Sequence, residues 1–300
     1  MDIEAGTGAE AGAPSPQPQV PPGPGDGLPP GVDLLWGRRE RGRRGPRPGL
    51  SLARIVTAAV EIADEEGLGP LSMSRLAQRL GFTAMSLYRY MTGKDELLML
   101  MLDAVMASPP PGPAPGEGWR AVLERWAGEC RSLYQRHPWA LDAPISGPPL
   151  GPNQLRWLDA GLAALAGTRA TPEEKLSVML LLDGYVRAET RLWVQLRRAC
   201  RPGAAPASAT SAASAEAAAS AAGPAGNAVP AEAVPADAEP PPSWGSLLRQ
   251  LIDRERYPAL MEIVATGSLD SPPGYGDTDY EFGLARILDG IEVFLHRPAR

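Results

Sequence analysis

The sequence predicts an all-α protein in two helical domains, and three observations carry that expectation. Apolar residues recur at helical spacing from Leu52 onward, and no sustained two-residue alternation and no Asn-Gly or Asp-Gly hairpin signals a strand. The 33 Gly and 34 Pro in 300 residues are too many for a uniformly packed globule and too aperiodic for collagen, so part of the chain lies outside the core.

Residues 1–35 carry eight Pro and seven Gly with almost no large apolar side chain, so they cannot offset chain entropy by burial. Residues 1–47 are therefore expected to be a disordered tail that ends in a basic arm: Arg38, Arg39, Arg41, Arg43, Arg44 and Arg47. Ser51 is an N-cap for a helix with Leu52, Ile55, Val56, Ala59, Val60, Ile62 and Ala63 on one face, stopped by Gly67. Ser72 caps a short helix with Met73, Leu76, Ala77 and Leu80 inward, and Gly81 ends it. Thr83 opens another, carrying Leu87, Tyr88 and Met91; Gly93 breaks it, and Lys94 to Met106 reads as a fourth helix, closing a first domain of residues 48–106.

Past a Pro/Gly hinge at 109–118, helices are expected over Trp119–Arg136, a short piece from Trp139, Asn153–Ala166, Thr171–Cys200, Trp244–Ala265 and Tyr280–His296. These form a second domain of residues 117–298, interrupted at 201–242 by an insertion with 18 Ala and eight Pro that is expected to be disordered.

Charge first argues against a nucleic-acid partner, since the net value is −6 and the pI about 5.2. Its distribution reverses the argument: residues 1–35 sum to −5, residues 36–50 to +5, and residues 72–94 hold four basic residues and no acid. Two cysteines, Cys130 and Cys200, are too few for a disulfide framework, and neither stands at a metal-ligand spacing with His137 or His296. No signal peptide and no apolar run of about 20 residues is present, so a soluble, cytoplasmic protein with no membrane partner is expected. Nucleophile elbow, P-loop and dinucleotide fingerprints are absent, which leaves an enzyme without a constellation and implies no cofactor or metal. Glu173 and Glu174, behind Thr171 and Pro172, read as a helix start, and His296 as a cation at a helix C-terminus.

The stretch LSMSRLAQRLGFTAMSLYRYMTGKDELL, residues 71–98, has the arithmetic of a helix-turn-helix. Gly81 supplies the positive φ of a sharp turn, Ala77 permits close crossing, and Leu76, Leu80 and Leu87 clamp the pair. Thr83, Ala84, Met85, Ser86 and Arg89 then face outward at the end that such motifs set against base edges, and Arg89 is the residue there able to grip guanine O6 and N7 together. Tyr88 and Tyr90 carry hydroxyls suited to phosphate, and Lys94 opens the next helix.

With the helix LARIVTAAVEIADEEG ahead of it and GKDELL behind, this motif resembles the DNA-binding domain of TetR-type transcriptional regulators. The resemblance implies that Ser72, Tyr88, Tyr90 and Lys94 bind backbone phosphate or pack the motif, and that Ser74, Thr83, Ala84, Met85, Ser86 and Arg89 read sequence. Tyr90 stands where that family more often has histidine. Further on, PPLGPNQLRWLDAGLAAL, TPEEKLSVMLLLDGYVRAETRLW and YEFGLARILDGIEVFL resemble the C-terminal domain of actinobacterial TetR regulators related to tetracycline repressors. Together the two resemblances imply a homodimeric repressor that leaves its double-stranded operator when a small apolar or amphipathic effector binds. Its dimer interface would be built from the helices at 172–199 and 280–296. A dimer also suits the physics, because one short recognition helix spans only a few base pairs.

Large side chains recur at helical spacing in the second domain, and Trp126, Tyr134, His137, Trp139, Trp157, Met179 and Tyr185 are the candidate lining of a roomy apolar pocket. The same residues also suit a packed core, and His137 before Pro138 suits a helix terminus. Two other readings stay open: a DNA-binding regulator without an inducer, and a helical enzyme with an accessory helix-turn-helix.

Overall fold

The computed structural model describes residues 28–38, 49–145, 147–199, 243–270 and 277–297. Twelve α-helices and no strand occur among them. They are α1 (Val32–Leu35), α2 (Leu52–Glu66), α3 (Met73–Leu80), α4 (Ala84–Leu87), α5 (Lys94–Val105) and α6 (Trp119–Arg136) in the first part of the chain. The second part holds α7 (Trp139–Asp142), α8 (Pro152–Ala164), α9 (Pro172–Ala199), α10 (Trp244–Leu251), α11 (Pro258–Ala265) and α12 (Asp277–Leu295).

Local signals explain most boundaries. Ser51 and Ser72 cap α2 and α3 by accepting from the backbone N–H groups of Arg54 and Arg75, each at 3.2 Å. Gly67, with φ 82°, ends α2. Pro172 opens α9 behind Thr171, whose N–H donates to Glu174 at 2.8 Å while its hydroxyl accepts from the Glu174 N–H at 3.3 Å, a reciprocal capping box.

Three expectations are corrected. Residues 28–38 do not belong to a structureless tail: α1 packs on α5, Val32 is buried, and the Trp36 indole donates to the Leu150 carbonyl at 2.9 Å. Those partners lie far along the chain, so local composition could not reveal them. Gly31, at φ 87°, allows the approach, because a Cβ there would strike Met99. Second, the single helix expected over 244–265 is two, α10 and α11. The first ends at Leu251, where Ile252 turns extended (φ −121°, ψ 152°) ahead of the polar run Asp253–Arg256; Pro258, with Tyr257 before it at φ −129° and ψ 56°, opens the second. Third, α4 is one turn of four residues, and α12 begins at Asp277, ahead of the expected Tyr280. The insertion at 201–242 and the arm residues Arg39, Arg41, Arg43, Arg44 and Arg47 lie outside the described residues.

One contiguous apolar core runs through both halves, from Ile55, Ile62, Leu76 and Leu87 through Leu97 and Met101 to Leu123, Trp157, Leu182 and Leu288. Helix α5 is the shared element: it packs on α1, α2 and α8, and buries Glu96, Leu97, Leu98, Leu100, Met101 and Asp103 within 12 residues. Polar ties reinforce the junction. Asp103 on α5 accepts from the backbone N–H groups of Asn153 (2.9 Å) and Gln154 (3.1 Å), so it caps α8 from about 50 residues away. Asp64 on α2 accepts from the Trp139 indole at 2.7 Å and pairs with His137 Nδ1 at 2.8 Å.

Candidate nucleic-acid interface

The reading head is built by α3, the turn at Gly81 and α4. Gly81 sits at φ 76° and ψ 31°, and the turn closes by two backbone bonds, Gly81 N–H to Gln78 O (3.1 Å) and Phe82 N–H to Ala77 O (2.9 Å). Beneath it Leu76 and Leu87 are fully buried, and Ala77 and Leu80 are buried beside them. With that side fixed inward, α4 and its flanking residues present Thr83, Met85, Tyr88 and Arg89 to solvent, with Ala84 and Ser86 half-buried, and Ser74 is exposed on α3. Met85 is 74% exposed although apolar. Thr83 and Ser86 share a hydroxyl contact at 3.0 Å. Among the described residues Arg89 makes no ion pair and no hydrogen bond, so its five donors are available.

Three expected phosphate contacts are otherwise engaged. The Tyr90 hydroxyl donates to the Leu50 carbonyl at 2.9 Å, which spends its one proton and pins the segment before α2 to the end of the reading head. Lys94 donates to the Leu68 carbonyl at 3.2 Å, and Ser72 serves as the α3 cap. The acid-free basic run is also not a free basic face. Arg79 grips Glu65 through both terminal nitrogens (2.8 and 3.0 Å), and Arg75 pairs with Glu66, both acids being on α2. That fork holds the Glu65 carboxyl below its ordinary range. Of the four cations in 72–94, two brace α3 on α2, one leans on a carbonyl, and Arg89 is open.

The seven candidate pocket residues do not line one cavity. Trp126, Trp157 and Met179 meet between α6, α8 and α9, with the Trp126 indole donating to the Trp157 carbonyl and the Trp157 indole to the Met106 carbonyl, both at 2.8 Å. A Cβ at Gly161 would collide with Met179, so this contact is closed. Tyr134, also buried, faces Asp183 at 3.5 Å beneath the Arg187 guanidinium, and burial pushes its phenol well up. Tyr185 stacks on Tyr280 and donates to its carbonyl at 2.8 Å. His137 and Trp139 stand apart from these five, at Asp64 on the domain junction. A shallow surface hollow of about 370 Å³ lies elsewhere, lined by Arg54, Thr57, Ala58, Glu61, Arg79 and Leu80.

One buried charge was not legible in the sequence. Arg131 on α6 is 7% exposed yet charged, pairs with Asp277 at 2.6 Å, and lies 4.3 Å under the Tyr280 ring. Its partners come from α9 and α12, far along the chain, so no local spacing announces it. On α9 and α12, the two helices from which the dimer interface is expected, an apolar surface is open: Leu176, Leu180, Leu181 and Leu192 on α9 and Phe282 and Val293 on α12 are about half exposed or more.

Comparison with known proteins agrees with this geometry. Residues 55–100 match the family described as bacterial regulatory proteins, tetR family, and residues 112–295 match the tetracyclin repressor-like C-terminal domain. The HTH-type transcriptional repressor DrrR1 of Streptomyces coeruleorubidus is 38% identical over 267 residues, spanning 88% of this chain and 85% of the relative. An HTH-type transcriptional regulator of Saccharopolyspora erythraea is 36% identical over 152 residues, 51% of this chain and 64% of that protein. Among solved structures, the Streptomyces coelicolor TetR family protein ActR in complex with actinorhodin superposes with a TM-score of 0.60 at 25% identity, covering 84% of this chain and all of that one.

Proposed function

Since the chain belongs to the TetR family of bacterial transcriptional regulators, we propose that it is a cytoplasmic homodimeric repressor that leaves its operator when a small apolar or amphipathic molecule binds the second domain. The observation that carries the DNA-reading part is the open face of α4 and the turn that follows it: an exposed Met85 on a helix whose other side is locked into the core, and Arg89, two residues past the helix end, without a partner among the described residues. Arg89 reads a guanine, Thr83, Met85, Ser86 and Ser74 meet neighbouring base edges or sugars, and Tyr88 and the remaining Lys94 donors meet phosphate. Tyr90 is a positioning residue. Arg38 and the arginines after it add phosphate contacts, which salt would weaken.

The half-exposed leucines of α9 and the Phe282 and Val293 of α12 support the dimer, since surfaces of this kind are ordinarily covered. ActR bound to actinorhodin supports a ligand-responsive second domain. Selection of bound sites from random duplex DNA tests the reading: enrichment of a two-fold symmetric site with half-sites about one DNA turn apart is expected. The closed packing of Trp126, Trp157 and Met179 favours a second reading, a regulator without an inducer. A thermal-shift screen in which no small molecule raises the melting temperature would select it.

A further inference from the structure

The buried Arg131 cluster is a charged site inside the effector domain that the DNA-reading mechanism does not use. Arg131 projects from α6 between α9 and α12. One terminal nitrogen, Nη1, pairs with Asp277 at 2.6 Å, while Nε lies 3.5 Å from Glu189 Oε2. Nε and Nη2 of Arg131, Oε2 of Glu189 and the hydroxyl of Tyr280 are buried and make no hydrogen bond among the described residues. Buried polar atoms are ordinarily satisfied; Nε and Glu189 Oε2 form an ion pair with each other, which leaves Nη2 and the Tyr280 hydroxyl as two converging donors without a partner among the described residues. The partner in place is also loosely held: the Asp277 side chain is 81% exposed and occupies one edge of a guanidinium that offers five donors.

We propose that Arg131 is the anion anchor of the effector site, that Asp277 is an internal carboxylate standing in for the ligand's own, and that the effector is an aromatic carboxylic acid or an acidic phenol. An incoming carboxylate replaces the single Asp277 contact with a fork on Nη1 and Nη2 and accepts from the Tyr280 hydroxyl. Glu189 remains on the far side of Arg131, so the exchange of one carboxylate for another leaves the local charge balance unaltered. The half-buried Tyr185 ring, stacked at 5.8 Å on the buried Tyr280, offers an aromatic flank. Asp277 opens α12, so its release frees the first turn of a helix whose outer face carries the exposed Phe282 and Val293. The anchor rests on the ligand-responsive reading of the second domain and gives it a ligand chemistry.

The test uses the full chain and a matched probe pair, anthraquinone-2-carboxylate and its neutral carboxamide, titrated by calorimetry. The carboxylate is expected to bind at least tenfold more tightly than the amide. Asp277→Asn, which removes the internal competitor at an exposed position, is expected to tighten the carboxylate about threefold or more and leave the amide unchanged. Arg131→Gln is expected to abolish the preference; Arg131→Lys, which keeps the charge and loses the fork, serves if the first variant does not fold, and is expected to weaken the preference. Equal binding of the two probes, no binding of either, a preference that survives Arg131→Gln, or one undiminished in Arg131→Lys overturns the proposal. Operator binding by the same preparations separates the two levels. A chain that binds its selected DNA but shows no carboxylate preference keeps the regulator reading and loses the anchor, whereas one that binds no DNA sinks the regulator reading itself.

Discussion

Arg89 and Tyr90 are neighbours with opposite roles, and the difference lies in what each already touches. Arg89 is free among the described residues, so Arg89→Ala is expected to cost about 1 to 3 kcal/mol on the selected operator and to relax specificity at one position per half-site. Quantitative binding to operator and to random duplex checks this, and an equal loss on both would refute it. The Tyr90 proton is spent on the Leu50 carbonyl. Tyr90→Phe should therefore lower thermal stability by about 1 kcal/mol and leave the salt dependence of DNA binding unaltered. A salt slope shallower by about 1 per site would instead reveal a phosphate contact. Both residues were visible in the sequence, Arg89 as an outward-facing base reader and Tyr90 as a hydroxyl suited to phosphate. What distinguishes them, the carbonyl 40 residues upstream, was not.

At the scale of elements, the turn and the hinge each make a prediction. Gly81 adopts a left-handed conformation that an L side chain enters at a cost, although the space beside it is open. Gly81→Ala should destabilise the chain by about 1 to 2 kcal/mol in denaturant titration, with no loss of core packing. Glu117, just ahead of α6, accepts from the Ala114 N–H at 2.9 Å and from Arg125, which holds its carboxyl down at about 2 instead of 4.5. A depressed acid stabilises above its unfolded value and loses that contribution as pH falls toward the folded one. Melting temperatures followed from pH 6 to 2 should therefore fall less steeply in Glu117→Gln than in the parent across the window between 4.5 and 2; parallel curves would discount the pair.

Element boundaries were legible wherever a cap or breaker is local: Ser51, Ser72, Gly67 and Gly81 stand where periodicity and capping place them. Those decided by distant partners were not. The α1 turn depends on α5 and Leu150. In α8 a proline and a glycine mark the start, yet the carboxylate that satisfies its first N–H groups is supplied by Asp103 of α5.

For the whole molecule, the uncovered faces of α9 and α12 set the assembly prediction. Leu180 is 74% exposed in the single chain, so Leu180→Glu should leave the fold intact by circular dichroism and shift sedimentation from dimer to monomer. Operator affinity should fall in step, because two reading heads are needed to span two half-sites. A variant that remains dimeric would move the interface elsewhere.

The sequence alone determined the class, the two-part order of helices and the reading motif, because helical periodicity, serine caps and a glycine turn act over a few residues. It also exposed a charge asymmetry hidden within a net −6. Only the tertiary structure decided which of those charges face outward, since Arg75 and Arg79 turn back to acids on α2 and Arg89 does not. The same holds for the aromatic residues of the second domain, whose indole donors are spent on carbonyls and on Asp64, and for Arg131, whose partners arrive from α9 and α12. The physical reason is common to all of them. A hydrogen bond or ion pair depends on distance in space, and in a folded chain that distance is set by packing, not by separation along the sequence.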